Sequence, residues 1–156
     1  MDRAAVQAWL DGYVAAWKSY DPAAIGDLFS EDAEYRYHPL EEPLQGRGAI
    51  VASWLEEPDE ADTYDGYYEP ALLESDSALA TGLSSYFDAA GTMRDEYSNA
   101  FLIEFDEHGR CRRFTEWWRR SPRFARPVDA VDETTAVGDA DAIGETAAGN
   151  EGANGG

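Results

Sequence analysis

Residues 12–33, GYVAAWKSYDPAAIGDLFSEDA, hold the end of one helix, a break, a second short helix and the approach to a strand. Reading upstream, Val6, Trp9, Leu10, Tyr13, Val14 and Trp17 recur at helical spacing with Asp2 available as a cap, which predicts an amphipathic helix over 3–19. Asp21 followed by Pro22 pairs an N-cap with the proline that suits a first helical position, and Ile25, Leu28 and Phe29 form the buried stripe of a helix ending near Ser30. Downstream, residues 34–38 alternate as a strand. A Pro/Gly-rich stretch over 39–48 then leads into a third helix carrying Ile50, Trp54 and Leu55, closed by Pro58.

From Thr63 the period changes to two, and residues 63–74, 78–87, 94–105 and 110–118 read as strands of an antiparallel sheet. Asp88 to Gly91 and Asp106 to Gly109 end in glycines suited to positive φ, so the last three strands are expected to form a meander of hairpins. Helices first and sheet afterwards is the order of an α+β domain, here 1–126, with three N-terminal helices packed on a curved sheet. Residues 127–156 are mostly Ala, Gly, Asp, Glu and Thr with almost no large apolar side chain, the composition of a disordered acidic tail. A partial likeness to a calcium loop at 139–144 fails at Ile143 and Asn150, where an oxygen ligand and a bidentate glutamate are needed.

The net charge of -20, from 32 acids against 12 bases, repels phosphate backbones and argues against nucleic acid. Lys18 is the only lysine, and acids scattered along the whole chain suit a protein working in high salt. The opening MDRAAVQAWL alternates polar and apolar groups, which predicts neither a signal peptide nor a membrane span and suits a cytoplasmic protein. One cysteine, Cys111, and two histidines leave no zinc spacing, so neither metal nor cofactor is expected.

The stretch 12–33, with the following strand, Pro43, Gly46 and the helix from Ala49–Ile50, resembles the N-terminal half of NTF2-like proteins, and within them ketosteroid isomerases and SnoaL-like polyketide cyclases. The likeness resumes at 101–118 and implies the NTF2-like cone. The isomerases use a helix tyrosine and a protonated aspartic acid as oxyanion donors, with an aspartate base. By position Tyr13 matches the tyrosine. Counting from Asp32–Ala33 the base falls on Tyr37, and counting back from Gly109 the late acid falls on Phe101. Both carboxylates are absent, so steroid isomerisation by that mechanism is not expected.

The same matching orients the strands. Asp95, Tyr97, Asn99, Phe101 and Ile103 would face the cone, as would Arg112, Phe114, Glu116 and Trp118. Glu116 is then an inward carboxylate whose pKa burial would raise toward general acid/base use, or alternatively one paired with Arg112 on the same face or solvated at the strand end. His38 turns inward as a base only if a bulge precedes Pro39, since strict alternation points it outward. Tyr13 is either an oxyanion donor or a core aromatic. The expected pocket for a hydrophobic small molecule is closed at one end and lined by Tyr13, Trp17, Tyr37, Tyr97, Asn99, Phe101, Phe114, Glu116 and Trp118, with Arg112 nearby. Two functions follow: a cofactor-free acid/base enzyme of isomerase, cyclase or dehydratase type, or a non-catalytic ligand-binding or dimerisation module. The resemblance further implies a homodimer joined through the outer sheet face, which carries Ala100, Leu102, Thr115 and Trp117.

Overall fold

The structure, a computed structural model, describes residues 1–124. The expected tail at 127–156 and the calcium-loop likeness lie outside the described residues. Helix α1 spans Arg3–Ser19, with the Asp2 carboxylate accepting from the Ala5 N–H at 2.8 Å. It stops at Tyr20, whose left-handed backbone (φ 49°) turns its N–H onto the Ala16 carbonyl at 2.9 Å. Helix α2, Pro22–Leu28, starts as expected on the Asp21 cap and Pro22. It ends earlier than the apolar stripe predicts, because Phe29 already belongs to strand β1, Phe29–Arg36. A two-residue strand β2, Leu44–Gln45, precedes helix α3, Arg47–Trp54. The long strands are β3, Tyr64–Glu74; β4, Ser77–Phe87; β5, Met93–Phe105; and β6, Cys111–Arg120. A single 3-10 turn follows at Pro122–Phe124.

The six strands lie in the order β2-β1-β6-β5-β4-β3. The β3–β6 meander is antiparallel, with Gly91 and Gly109 both at φ 76° in its hairpins. The sheet is antiparallel, as expected, except that β1 pairs in parallel with β6. Register irregularities occur in β3, at the end of β4, and where β5 meets β6, and such bulges bend and twist the sheet without closing it.

Helix α1 crosses the concave face and sets Trp9 and Tyr13 into it. The Tyr13 ring stacks on Phe114 (5.6 Å, 15°) and tilts against Phe101 (5.5 Å), while Tyr35 also stacks on Phe114 at 4.7 Å. Trp9 donates its indole N–H to the Leu28 carbonyl at 3.0 Å, tying α1 to the end of α2. Small residues on the inner face of β4, namely Ala78, Ala80 and Gly82, leave room for these rings. Gly82 is required outright, because a Cβ there would sit 1.9 Å from the Tyr67 carbonyl and 2.5 Å from the Tyr68 ring. No helix among the described residues is long and apolar enough to cross a membrane.

Candidate functional site

Cross-strand register sorts the inner face into rows. Ile103 lies opposite Phe114, then Phe101 opposite Glu116, Asn99 opposite Trp118, and Tyr97 opposite Arg120. Continuing across β4, Ala80 stands in the Phe101 row, Gly82 in the Asn99 row, and Ser84 in the Tyr97 row, with Tyr86 opposite Asp95. The apolar rows are filled by α1 and form a packed floor. Beyond that floor the sheet outruns the helix and leaves a cavity of about 420 Å³. Trp17 at the end of α1 and Tyr37 just after β1 form part of its wall. The sheet supplies Ser84 and Tyr86 from β4, Asp95, Tyr97 and Asn99 from β5, and Glu116 and Trp118 from β6.

Glu116 is the chemically distinctive group. Its Oε1 accepts from Asn99 Nδ2 at 3.0 Å, and it has no ion pair among the described residues. Burial lifts its pKa from an ordinary 4.5 to about 8. Asn99 is itself buried, and its Nδ2 also faces Ser84 Oγ at 2.9 Å and, more weakly, the Tyr68 hydroxyl at 3.4 Å. Tyr68 bonds to Ser84 Oγ at 2.6 Å and to the Tyr64 hydroxyl at 3.2 Å. The carboxyl therefore stands at the end of a polar chain through four buried side chains, whereas Asn99 Oδ1 has no partner among the described residues. Asp95 differs, being paired with Arg120.

The wall is anchored. Trp17 donates its indole N–H to Asp59 Oδ2 at 3.0 Å, and the Tyr20 hydroxyl donates to the same oxygen at 2.8 Å, which holds the loop before β3 beside the mouth. The Tyr37 hydroxyl meets Ser53 Oγ of α3 at 2.9 Å, and its pKa is raised, chiefly by burial.

Of the residues expected at the site, Trp17, Tyr37, Tyr97, Asn99, Glu116 and Trp118 line the cavity together. Tyr13, Phe101 and Phe114 do not. Their rings pack on one another and fill the end of the cone that was expected to be open to a ligand. The Tyr13 hydroxyl is satisfied by Tyr35 at 3.1 Å, and burial first, then neighbouring Tyr35 and Glu116, drive its pKa well above the usual tyrosine value.

Arg112 is also corrected. Glu104 pairs with Arg113 while Phe105 pairs with Cys111, so Arg112 is an extra residue in a bulge and its side chain turns outward. There it meets Asp76 at 2.8 Å and Glu104 at 3.3 Å, and cannot neutralise Glu116. His38 sits half-buried in the turn after β1, its Nδ1 accepting from the Leu40 N–H at 3.4 Å, outside the cavity lining. The bulge that would turn it inward is absent from the described turn, where the His38 carbonyl instead accepts from the Glu41 N–H at 3.0 Å. Ser84 and Tyr86 were missed. Alternation from Ala78 and Ala80 along β4 was the signal available for both.

A curved, unclosed sheet over three helices, with a cavity at its wide end, defines an α+β cone. Residues 1–119 match the family model of the SnoaL-like domain, and the chain belongs to that family. Among solved structures it is similar to an NTF2-like protein of unknown function from Cytophaga hutchinsonii, with TM-score 0.54 and 14% identity over 72% of this chain and 98% of that one. It is likewise similar to a putative ketosteroid isomerase from Kribbella flavida, with TM-score 0.59 and 18% identity over 77% of this chain and 82% of that one. No curated protein matches. At these identities the structural likenesses establish the fold alone.

Proposed function

We propose that the cavity binds a small molecule with a hydrophobic body and that Glu116 acts on it as a cofactor-free general acid/base, in chemistry of isomerase, cyclase or dehydratase type. The observation that carries the reading is a carboxyl group on the wall of an aromatic cavity, held at Oε1 by a buried asparagine. With a pKa of about 8, roughly one Glu116 in ten is ionised at neutral pH. The carboxylate takes a proton from carbon beside a carbonyl or leaving hydroxyl group, and the carboxylic acid so formed donates it to that oxygen, which returns Glu116 to its starting state. Asn99 keeps the carboxyl pointing into the cavity in both states. The positions that match the isomerase carboxylates hold Tyr37 and Phe101, so any such chemistry here runs through a different residue.

The test is a ligand search by native mass spectrometry on protein purified in high salt, followed by turnover of the recovered compound. Glu116→Gln keeps the shape and the hydrogen bond, and should lose about 10²–10⁴ in rate at saturating ligand. Full turnover by that variant would remove Glu116 from the acid/base role. Binding without any conversion by the unaltered chain would instead favour the non-catalytic module.

A specific observation favours self-association as well. Outward rows of the sheet place Leu72, Leu79 and Leu102 side by side, with Trp117 beside Ala100 in the next row and Tyr67 opposite Leu83 beyond it. Leu72 is 66% exposed and Trp117 42%, a face that a homodimer would cover. Sedimentation at micromolar concentration in molar salt should give a dimer, and monomer alone would count against it. The net charge of -20 supports a high-salt setting and argues against nucleic acid as a partner.

A further inference from the structure

We propose that the natural ligand of this cavity is an organic ammonium ion, its cationic head held among Tyr86, Tyr97 and Trp118 with Glu116 as counter-ion. The inference rests on the reading of the cavity as a small-molecule site and names the class of molecule it takes.

Three observations converge on it. First, five of the side chains around the cavity are aromatic, and three of them run across adjacent strands as a continuous wall. Tyr86 meets Tyr97 at 5.8 Å and 90°, and Tyr97 meets Trp118 at 5.6 Å and 85°. Rings set at right angles to one another present faces in more than one direction, and the faces carry the negative end of the ring quadrupole. Trp17 and Tyr37 stand on the walls supplied by α1 and by the end of β1. That arrangement is how proteins enclose quaternary and alkylated ammonium groups.

Secondly, the charges around the cavity are of one sign. Among the described residues Asp95 and Glu116 contribute to the lining, and no lysine, arginine or histidine does. Asp95 is compensated by Arg120, which leaves Glu116 as the lining carboxyl without a counter-charge among the described residues. An anionic ligand would meet two carboxyls and a chain of net charge -20. A neutral hydrocarbon ligand would be served better by an apolar residue in the Phe101 row than by a buried glutamate, which costs free energy whenever it ionises.

Thirdly, the groups facing Glu116 supply no positive charge from any direction. They are Tyr13 from α1, Tyr35 from β1 and Tyr37 just after it, Tyr68 from β3, Tyr86 from β4, and Asn99 with Asp95 from β5. A cationic ligand provides the missing partner. Its arrival lowers the pKa of Glu116 from about 8, so binding at neutral pH releases a proton. A neutral ligand that displaces water from the carboxyl would have the opposite effect.

The experiment compares two probes of one shape on the full chain by calorimetry and by quenching of tryptophan fluorescence. They are para-tert-butylbenzyl alcohol and its para-trimethylammonio counterpart, in which carbon is replaced by charged nitrogen. At about pH 9 the ammonium probe should bind at least about tenfold more tightly. At about pH 7 its binding enthalpy should depend on the ionisation enthalpy of the buffer, in the sense of proton release. Glu116→Gln and, separately, Trp118→Leu should each weaken the ammonium probe by about tenfold or more. Glu116→Gln should leave the alcohol within about twofold. Because Trp118 is half-exposed at the sheet end, that second variant does not depend on repacking of the core. Equal or tighter binding of the alcohol would overturn the inference while leaving a hydrophobic small-molecule site in place. Proton uptake in place of release would overturn it too. Failure of both probes to bind would sink the ammonium reading together with the small-molecule reading beneath it.

Discussion

Replacing Glu116 by glutamine should make the protein more stable, and by an amount that grows with pH. In the folded chain the carboxyl keeps its proton until about pH 8, whereas in the unfolded chain it loses it near its ordinary 4.5. Between those two values the unfolded state has released a proton that the folded state retains. The free energy of unfolding therefore falls with rising pH, by about 1.4 kcal/mol per pH unit. Below about pH 4.5 the group costs nothing, and above about pH 8 the whole penalty is present, about 5 kcal/mol from the difference of the two values. Water reaching the carboxyl through the cavity mouth makes this a ceiling, and half of it, about 2–3 kcal/mol, is the working figure. Glutamine is uncharged throughout. In thermal unfolding followed by circular dichroism, Glu116→Gln and the unaltered chain should melt together near pH 5. The variant should then melt about 6–12 °C higher by pH 9. Other acids titrate in both proteins and cancel in the comparison. A melting difference that stays constant from pH 5 to 9 would refute the reasoning, because it would mean that Glu116 ionises alike in both states.

Gly82→Ala should cost about 3 kcal/mol or more and lower the melting temperature by about 10 °C, since its Cβ would meet the Tyr67 carbonyl at 1.9 Å. A fall below about 3 °C would show that β3 and β4 separate easily. Tyr35→Phe strands the Tyr13 hydroxyl, now bonded at 3.1 Å, and should cost about 1–2 kcal/mol in denaturant unfolding. The double variant with Tyr13→Phe should cost less than the sum of the two single changes, and strict additivity would argue against the hydroxyl pair. With a net charge of -20, stability should rise as salt increases from about 0.1 M to above 1 M, and a flat melting curve over that range would remove the electrostatic argument.

Much of this fold was legible because local signals agreed with the global one. Helix α1 needed only the apolar spacing from Val6 to Trp17 and the Asp2 cap, and its span of 3–19 is the observed one. The four long strands followed from period-two patterning and two glycine turns. What alternation misjudged was whatever breaks alternation. The inward assignment of Arg112 assumed an unbroken strand, and one extra residue between Cys111 and Arg113 reverses it without moving Phe114, Glu116 or Trp118. Phe29 was assigned to α2 because an aromatic at helical spacing looks the same to either period at a junction. The parallel pairing of β1 with β6 was hidden as well, since no turn joins the two strands and none of the local residues encodes it.

How deep α1 reaches into the sheet decides which inward residues are core and which are site, and that is a tertiary quantity. Strand alternation places Phe101, Asn99 and Tyr97 on one face but does not rank them by depth. In the folded chain Tyr13 covers Phe101 and Phe114. Trp17, one turn later, packs at 4.6 Å on Trp54 and stands over the first uncovered rows. Glu116 falls at the border between the two regions. It shares a row with buried Phe101 and Ala80 and lies next to the row of Asn99 and Trp118. On β6 a residue one row deeper would have to be apolar, and one at the half-exposed Trp118 position would be solvated and keep an ordinary carboxylate pKa. The shift of Glu116 toward neutral pH thus depends on the length of α1 as much as on its own environment. Extending the covered floor by one helical turn would bury it fully, and withdrawing it by one would leave its titration unremarkable.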